Sequence, residues 1–171
     1  MTARALPPPA SPRLMTALVL AASVAVLGGA LLFQYADGLA PCELCLYERW
    51  PWYAAIVLAM IGLLAGGPAA QGWILGACTL LFVASAGLAA YHVAVEQHWI
   101  AGPVACTGAA LNATSIEALK EQLLQRQAVS CDQAAWRLFG VSLAGWNLLA
   151  SLAVAAFAGD AAWRLTRSGR R

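Results

Sequence analysis

The sequence predicts an all-α fold, a four-helix transmembrane bundle that forms a single integral membrane domain over residues 1–171. Hydrophobic residues make up 61% of the chain and charged residues only 11%, whereas soluble domains carry about 25% charged residues. A chain of this size cannot bury so much apolar surface in its own core, so we expect lipid to cover it. Four uncharged apolar stretches, separated by more polar connections, give the number of spans.

The four spans are predicted at about 14–33, 50–66, 73–95 and 138–158. The first stretch has the length of about 20 residues that a helix needs to cross a bilayer. It is longer than the apolar core of a cleaved signal peptide, about 7–15 residues, so we expect it to remain as the first helix. In the second stretch, Pro51 suits a first helical turn, where no amide hydrogen is needed.

Two polar connections, residues 34–49 and 96–137, are predicted to be the outer, periplasmic loops of the bundle. The second contains one amphipathic stretch. Thr114 and Glu117 match a capping box at its start, and apolar residues follow at helical spacing. We therefore expect this loop to carry a short helix that lies on the membrane surface.

The orientation of the bundle is predicted from its basic residues. The two tails contain six of them, Arg4, Arg13, Arg164, Arg167, Arg170 and Arg171. The two cysteine-bearing loops contain four, offset by acidic residues. Because basic segments tend to stay in the cytoplasm, both termini are expected there. Four crossings then bring both cysteine-bearing loops to the same outer face.

Five cysteines are present, and four of them lie in the two loops. Cys42 and Cys45 form a Cys-x-x-Cys pair, and Cys106 and Cys131 lie in the second loop. An even number of loop cysteines indicates disulfide chemistry in an oxidising compartment. Cys78 lies within the third apolar stretch, where a cysteine commonly behaves as a small hydrophobic residue.

The Cys42–Cys45 pair has the features of a redox-active dithiol. Two intervening residues allow one helical turn to bring both sulfurs together. A helix N-terminus and a nearby cation both lower a thiol pKa, because they favour the thiolate. Arg49, four residues after Cys45, would lie on the same helix face.

Other interpretations of the cysteines were weighed. A c-type haem site requires a histidine directly after the second cysteine, where this chain has Leu46. The gaps between the later cysteines are unlike a compact zinc module, so no metal site is predicted. A bridge between Cys106 and Cys131 would close a 26-residue ring. That bridge could be a structural staple, worth about 3.5 kcal/mol, or a partner for exchange with the first pair.

His92 lies near the outer end of the third span. A histidine in a span usually faces the bundle or a polar cavity. It could be a packing residue. Beside a redox dithiol it becomes a candidate hydrogen-bond donor to the carbonyl of an electron acceptor.

These residues resemble the disulfide bond formation protein B family, the bacterial membrane thiol:quinone oxidoreductases. The resemblance extends from about Leu14 to Ala158. The matching features are Cys42-Glu-Leu-Cys45 with Tyr47-Glu48-Arg49, Tyr91-His92, the loop cysteines Cys106 and Cys131, and the segment from Phe139 to Trp146-Asn147.

The resemblance implies an enzyme of the bacterial inner membrane that sustains protein disulfide bond formation. A reduced, soluble periplasmic oxidase with a thioredoxin fold would attack the Cys106–Cys131 disulfide. Electrons would then pass to Cys42–Cys45 and on to a bound quinone, ubiquinone or menaquinone. Arg49 would help to hold the quinone, and His92 would assist.

Three other functions were considered. A protein similar to quinone epoxide reductases would carry its Cys-x-x-Cys near the final helix, whereas here it precedes the second. A metal-handling membrane protein would need acidic or histidine ligands within the spans, and these spans offer His92 alone. A structural membrane protein with disulfide-stapled loops is the third. Nucleic-acid binding is not expected, because no basic patch with interleaved aromatic residues is present.

Overall fold

The computed structural model describes residues 11–103, 115–117, 120 and 130–168. Within these residues the chain forms four long helices and one short hairpin. They are α1 (Pro12–Tyr35), α2 (Glu43–Ala65), α3 (Pro68–Glu96), β1 (Arg137–Leu138), β2 (Val141–Ser142) and α4 (Leu143–Ser168). The two strands pair antiparallel, with Arg137 opposite Ser142.

The starts of the first three helices follow from local sequence. The side chain of Ser11 caps α1 by accepting a hydrogen bond from the backbone N–H of Leu14, and Pro12 occupies the first turn. Cys42 is the cap of α2. Pro68 begins α3 directly after Gly67, so the connection between α2 and α3 is very short.

The second helix begins earlier than the span predicted at 50–66, at the helical turn expected for the cysteine pair. It starts at Glu43, inside the stretch expected to be loop, so that Pro51 lies in the helix interior instead of the first turn. The apolar stretch marks only the part of a helix that suits lipid. A helix can continue into polar sequence wherever its backbone hydrogen bonds are satisfied, and the cap at Cys42 allows this start.

The fourth helix begins later than its predicted span. Residues 137–142 form the hairpin, so α4 begins at Leu143 and not at residue 138. Phe139 and Gly140 have φ angles of 51° and 81°, the positive values that a two-residue type I′ turn requires. The helix then continues to Ser168, through the stretch interpreted as a tail, where Asp160 and Arg164 form an ion pair at 2.8 Å across one turn.

The core of the bundle lies where small and hydroxyl-bearing residues allow α3 and α4 to approach closely. Ser85 and Ser151 share a buried hydrogen bond of 3.0 Å between the two helices. A Cβ atom at Gly159 would lie 3.3 Å from the side chain of Thr79. Such contacts are typical of helices that pack within a membrane. Cys78 is fully buried in this core, as the sequence predicted.

One end of the bundle collects the start of α1, the short α2–α3 connection and the end of α4. Thr16 donates a hydrogen bond of 3.4 Å to Gln71, and Gly72 packs against Leu165. The start of α2, the end of α3 and the start of α4 therefore lie together at the opposite end. This second end carries Cys42.

Three helices, α1, α3 and α4, are long and apolar enough to cross a membrane. Large apolar side chains on their outer surfaces are exposed, such as Leu80 at 73%, which suits contact with lipid. The protein is therefore a multi-pass membrane protein. A membrane crossing by α2 stays a prediction, and the expected amphipathic helix of the second loop lies largely outside the described residues.

Candidate functional site

The Cys-x-x-Cys pair lies at the start of α2. The Sγ atoms of Cys42 and Cys45 are 2.7 Å apart, and the backbone N–H of Cys45 donates to the Cys42 sulfur at 3.2 Å. The sulfur of Cys42 thus acts as the helix cap. The prediction that one helical turn brings the two sulfurs together is confirmed by this geometry.

The two thiols differ in acidity because they share one hydrogen bond. The pKa of Cys42 is lowered, chiefly because the Cys45 thiol donates to its sulfur, while burial opposes the shift and the Cys45 backbone N–H supports it. The pKa of Cys45 is raised, first by the same hydrogen bond, then by burial and by the charge on Cys42. In the reduced pair Cys42 is therefore the more acidic of the two thiols.

A buried polar network extends from the dithiol into the bundle. Nδ1 of His92 lies 2.7 Å from one carboxylate oxygen of Glu48. The other oxygen accepts a hydrogen bond of 2.7 Å from the Asn147 side chain. The Trp52 indole donates to Asn147 at 2.9 Å. These contacts join α2, α3 and α4, and they satisfy both oxygens of a carboxylate that would be costly to bury alone.

The network decides how the His92 ring is oriented. An ionised carboxylate only accepts hydrogen bonds, so the Nδ1 atom facing Glu48 carries the hydrogen. In the neutral ring Nε2 is then an acceptor. Nε2 lies 3.6 Å from the Cys42 sulfur, so the side chain presents a proton acceptor to the thiol.

Glu96 lies one turn beyond His92 on α3. Its Oε1 atom is 4.0 Å from His92 Nε2. The other oxygen, Oε2, is buried and has no hydrogen-bond partner among the residues that the structure describes. Burying a carboxylate oxygen without a partner is costly, so a bound cation there would stabilise it.

Of the two cysteines in the second loop, Cys131 is the one that the structure describes. It is disulfide-bonded and only 1% exposed, and it packs in one apolar cluster with Cys42, Leu44 and Val95. Cys106 lies outside the described residues. The structure therefore places one loop-two sulfur against the start of α2.

Two cavities meet at Cys45. The larger, about 340 Å³, lies between α1, α2 and α4 and is mostly apolar; its wall includes Leu27, Phe33, Cys45, Glu48, Arg49, Trp146 and Asn147. The smaller, about 20 Å³, is lined by Cys42, Cys45, His92, Glu96, Ser130, Gln133, Ala135, Leu143 and Ala144. Cys45 thus lies between a large apolar cavity and a small one that His92 and Glu96 also line.

The predicted site residues are divided between these cavities. Arg49 lines the larger cavity with Cys45, and its guanidinium donates to Gln34 of α1 at 2.6 Å. His92 belongs to the smaller cavity, beside Cys42. Cys78 lines neither of these two cavities and stays within the core.

Sequence reasoning missed Glu48, Asn147 and Glu96 as parts of the site. The sequence indicated Glu48 and Asn147 only as parts of segments that match the family. The available signal was the presence of polar residues beside otherwise apolar stretches, since such residues usually face the interior of a bundle. Glu96 also follows His92 at the spacing that shares a helix face.

Comparison with known proteins decides the family. A family model described as "Disulfide bond formation protein DsbB" matches residues 12–160. The chain belongs to the DsbB family. DsbB relatives include disulfide bond formation protein B 1 of Pseudomonas aeruginosa PAO1, 33% identical over 88% of this chain and 94% of the relative. Disulfide bond formation protein B of Verminephrobacter eiseniae is 32% identical over 81% of this chain and 79% of the relative. No solved structure matches the chain.

Membership of the DsbB family confirms the resemblance found in the sequence. It makes this chain a disulfide bond formation protein, with redox-type cysteines close together at one end of a membrane bundle. Membership of this family does not favour a metal-handling protein or a structural membrane protein with disulfide-stapled loops.

Proposed function

We propose that this protein is a membrane thiol:quinone oxidoreductase that reoxidises a soluble periplasmic thioredoxin-fold oxidase. The observation that carries the proposal is the position of the dithiol. Cys45 lines both cavities, while Cys42 packs with the disulfide-bonded Cys131. Electrons that enter from the loop side can thus leave through the apolar side without any large movement of α2.

The larger cavity fits a quinone ring. Its volume of about 340 Å³ falls in the range of small-molecule sites, about 300–1,000 Å³. Its walls are apolar, and Arg49 adds a planar group with several donors, of which one is used by Gln34. A quinone, whether ubiquinone or menaquinone, supplies a two-electron, two-proton acceptor when it is bound.

The first half of the reaction is thiol exchange at the second loop. A thiolate of the reduced partner attacks Cys106 of a Cys106–Cys131 disulfide, and Cys131 leaves as a thiolate. The second thiol of the partner then resolves the mixed disulfide. Each exchange breaks one S–S bond and forms another, so the partner gains a disulfide and the loop pair becomes reduced.

The second half passes through the site described above. The Cys131 thiolate attacks Cys42, its neighbour in the cluster, and Cys45 leaves as a thiolate toward the larger cavity. Cys106 then attacks Cys131, which re-forms the loop disulfide and leaves Cys42 and Cys45 reduced. Cys42 and Cys45 would then pass two electrons and two protons to a bound quinone and re-form their own disulfide. In the reduced pair, the hydrogen bond with Cys42 and the negative charge on Cys42 both raise the Cys45 pKa. Both are lost while Cys42 is in a mixed disulfide, so Cys45 becomes the better thiolate at the step that needs it.

His92 assists by handling the proton of Cys42. Glu48 holds its Nδ1 atom, and Nε2 faces the Cys42 sulfur, so the ring can accept the thiol proton when the Cys42–Cys45 disulfide re-forms. Its expected role in binding the quinone stays a prediction. A histidine fixed by a buried carboxylate is suited to general base catalysis.

The cell location follows from the same chemistry. Cys42, Cys131 and the ends of α2, α3 and α4 around them face an oxidising compartment, because a disulfide-based donor operates there. We place the protein in the bacterial inner membrane, with both termini in the cytoplasm, where the basic tails favour retention.

The test is a coupled assay with purified full-length protein in detergent. A reduced thioredoxin-fold oxidase is mixed with a short-chain quinone, and thiols and quinone are measured together. We expect one quinone to be reduced for every two thiols oxidised, and no turnover in Cys42→Ser or Cys45→Ser. Cys78→Ala is the matched control, and its turnover should stay near wild type. Quinone reduction that persists in Cys42→Ser would refute the proposal.

A further inference from the structure

The smaller cavity is lined by a set of metal-ligand side chains that the electron relay does not fully use. Sulfur atoms of Cys42 and Cys45 and a nitrogen of His92 all lie within 4.8 Å of one another. Glu96 lines the same cavity. We propose that reduced Cys42 and Cys45, with His92 and Glu96, bind a zinc-like divalent cation that the disulfide form cannot hold.

The spacing of Cys42, Cys45 and His92 suits three corners of a tetrahedral site, and Glu96 approaches from the His92 side. Cys42 and Cys45 have the Cys-x2-Cys spacing of zinc sites, and His92 and Glu96 share one face of α3 at i, i+4. With the usual zinc bond lengths, sulfur and nitrogen ligands lie about 3.6 Å apart. The distance from Cys42 Sγ to His92 Nε2 is 3.6 Å, and that from His92 Nε2 to Glu96 Oε1 is 4.0 Å.

The size of the cavity agrees with a single small ion. Its volume is about 20 Å³, and a site for one water molecule needs about 10–15 Å³. The two sulfurs, 2.7 Å apart, would separate by about 1 Å to reach tetrahedral spacing. Rotation about the Cα–Cβ bond of Cys45 would supply this separation.

Two further features of the site point to a cation. The Oε2 atom of Glu96 is buried without a hydrogen-bond partner among the described residues, and coordination would satisfy the carboxylate. Glu48 holds His92 through Nδ1 and so leaves Nε2 directed at the cavity. A carboxylate that fixes a ligating histidine in this way is the usual support of zinc sites.

Binding depends on the redox state because thiolates are the ligands. Two thiol protons leave when the ion enters, and two thiolates, one neutral imidazole and one carboxylate then surround it. Formation of the Cys42–Cys45 disulfide removes both thiolates and releases the ion. If the proposed function holds, bound zinc stabilises the reduced dithiol by mass action and slows its oxidation. The binding itself does not rest on that function.

The experiment uses Co²⁺ as a spectroscopic probe and Zn²⁺ as competitor. The full-length protein carries Cys106→Ser and Cys131→Ser, so that reduction frees no loop thiols. We expect one equivalent of Co²⁺ to bind the reduced protein with thiolate-to-cobalt absorption, and Zn²⁺ to displace it. Cys45→Ser should abolish the absorption, and Glu96→Gln should weaken binding about 10–100-fold.

The controls separate this site from binding by thiols alone. His98→Asn, at the exposed end beyond α3, should leave Co²⁺ binding unchanged. In the wild-type protein, Zn²⁺ should slow alkylation of Cys42 and Cys45, which provides a second readout if a variant folds poorly. Equal Co²⁺ binding by the disulfide form, or unchanged affinity in both Glu96→Gln and His92→Gln, would overturn the site. Either result would leave the quinone assay intact, so the two proposals fail separately.

Discussion

The Oε1 atom of Glu48 lies 2.7 Å from Nδ1 of His92, although 44 residues separate them in the chain. Both side chains are buried, and Asn147 completes the carboxylate's hydrogen bonds from α4. This contact fixes the imidazole that faces Cys42. It also ties α2 to α3 at the end of the bundle where the dithiol lies.

Replacing Glu48 with glutamine should both destabilise the protein and slow thiol chemistry. Glutamine offers one oxygen where two donors now point at the carboxylate, so one buried donor is left without an acceptor, at a cost of about 1–3 kcal/mol. His92 then loses its fixed orientation. We expect a lower Tm and slower alkylation of reduced Cys42.

The control for Glu48→Gln is Asp160→Asn. Asp160 forms an exposed ion pair with Arg164, and such a pair contributes about 0–1 kcal/mol. This variant should change the Tm only slightly and should leave the reactivity of Cys42 unchanged. Equal effects of the two variants would remove Glu48 from the site.

Replacing Arg49 with alanine should weaken quinone binding. Arg49 lines the larger cavity, and a hydrogen bond from a charged donor is worth about 1.5–3 kcal/mol. We expect the KM for quinone to rise about tenfold or more, with little change in the KM for the soluble partner. Arg164→Ala, at the other end of the bundle, is the control. Unchanged quinone kinetics would exclude Arg49 from the site.

The acidity of Cys42 should depend on the donor at position 45. In a background with Cys78, Cys106 and Cys131 replaced, Cys45→Ser keeps a hydroxyl donor and Cys45→Ala has none. Since donation by Cys45 is the main cause of the lowered Cys42 pKa, alkylation of Cys42 should extend to lower pH in the serine variant. Coincident pH profiles would contradict this account.

The loop cysteines should trap the partner unequally. Cys131 is 1% exposed, so an incoming protein thiolate can reach it only with difficulty, and exchange needs an accessible sulfur. Cys131→Ser should accumulate a disulfide-linked complex through Cys106 on a non-reducing gel, and Cys106→Ser should trap far less. Equal trapping by the two variants, or trapping by Cys106→Ser alone, would show that this assignment is wrong.

The topology should be testable with reporters. The start of α1 and the end of α4 lie at the same end of the bundle, so both tails share one side. A reporter that is active only in the cytoplasm should be active when it is fused after Arg171. A reporter that is active only in the periplasm should be active when it is fused to a chain truncated at Gln97, just beyond α3. Periplasmic activity after Arg171 would refute the orientation and with it the relay.

The sequence by itself determined the helical class, the membrane location and the proximity of the two Cys-x-x-Cys sulfurs. Long uncharged stretches have no stable place in water, so composition alone indicates α1, α3 and α4. The Cys42–Cys45 geometry was also predictable, because a spacing of three positions on one helical turn is a local relationship. Element ends were less predictable. The hairpin at Phe139 and Gly140 lies in uncharged sequence that hydropathy cannot distinguish from a helix.

Only the tertiary structure decided how the site is assembled. Glu48, His92 and Asn147 meet from three helices, and their pairing depends on the rotation of each helix about its axis. Hydropathy does not specify that rotation, because these helices are apolar on nearly every face. It is set by side-chain packing and by the requirement that buried polar groups find partners. For the same reason the sequence indicated only that His92 lies near the dithiol, whereas the folded chain shows its Nε2 atom 3.6 Å from the Cys42 sulfur.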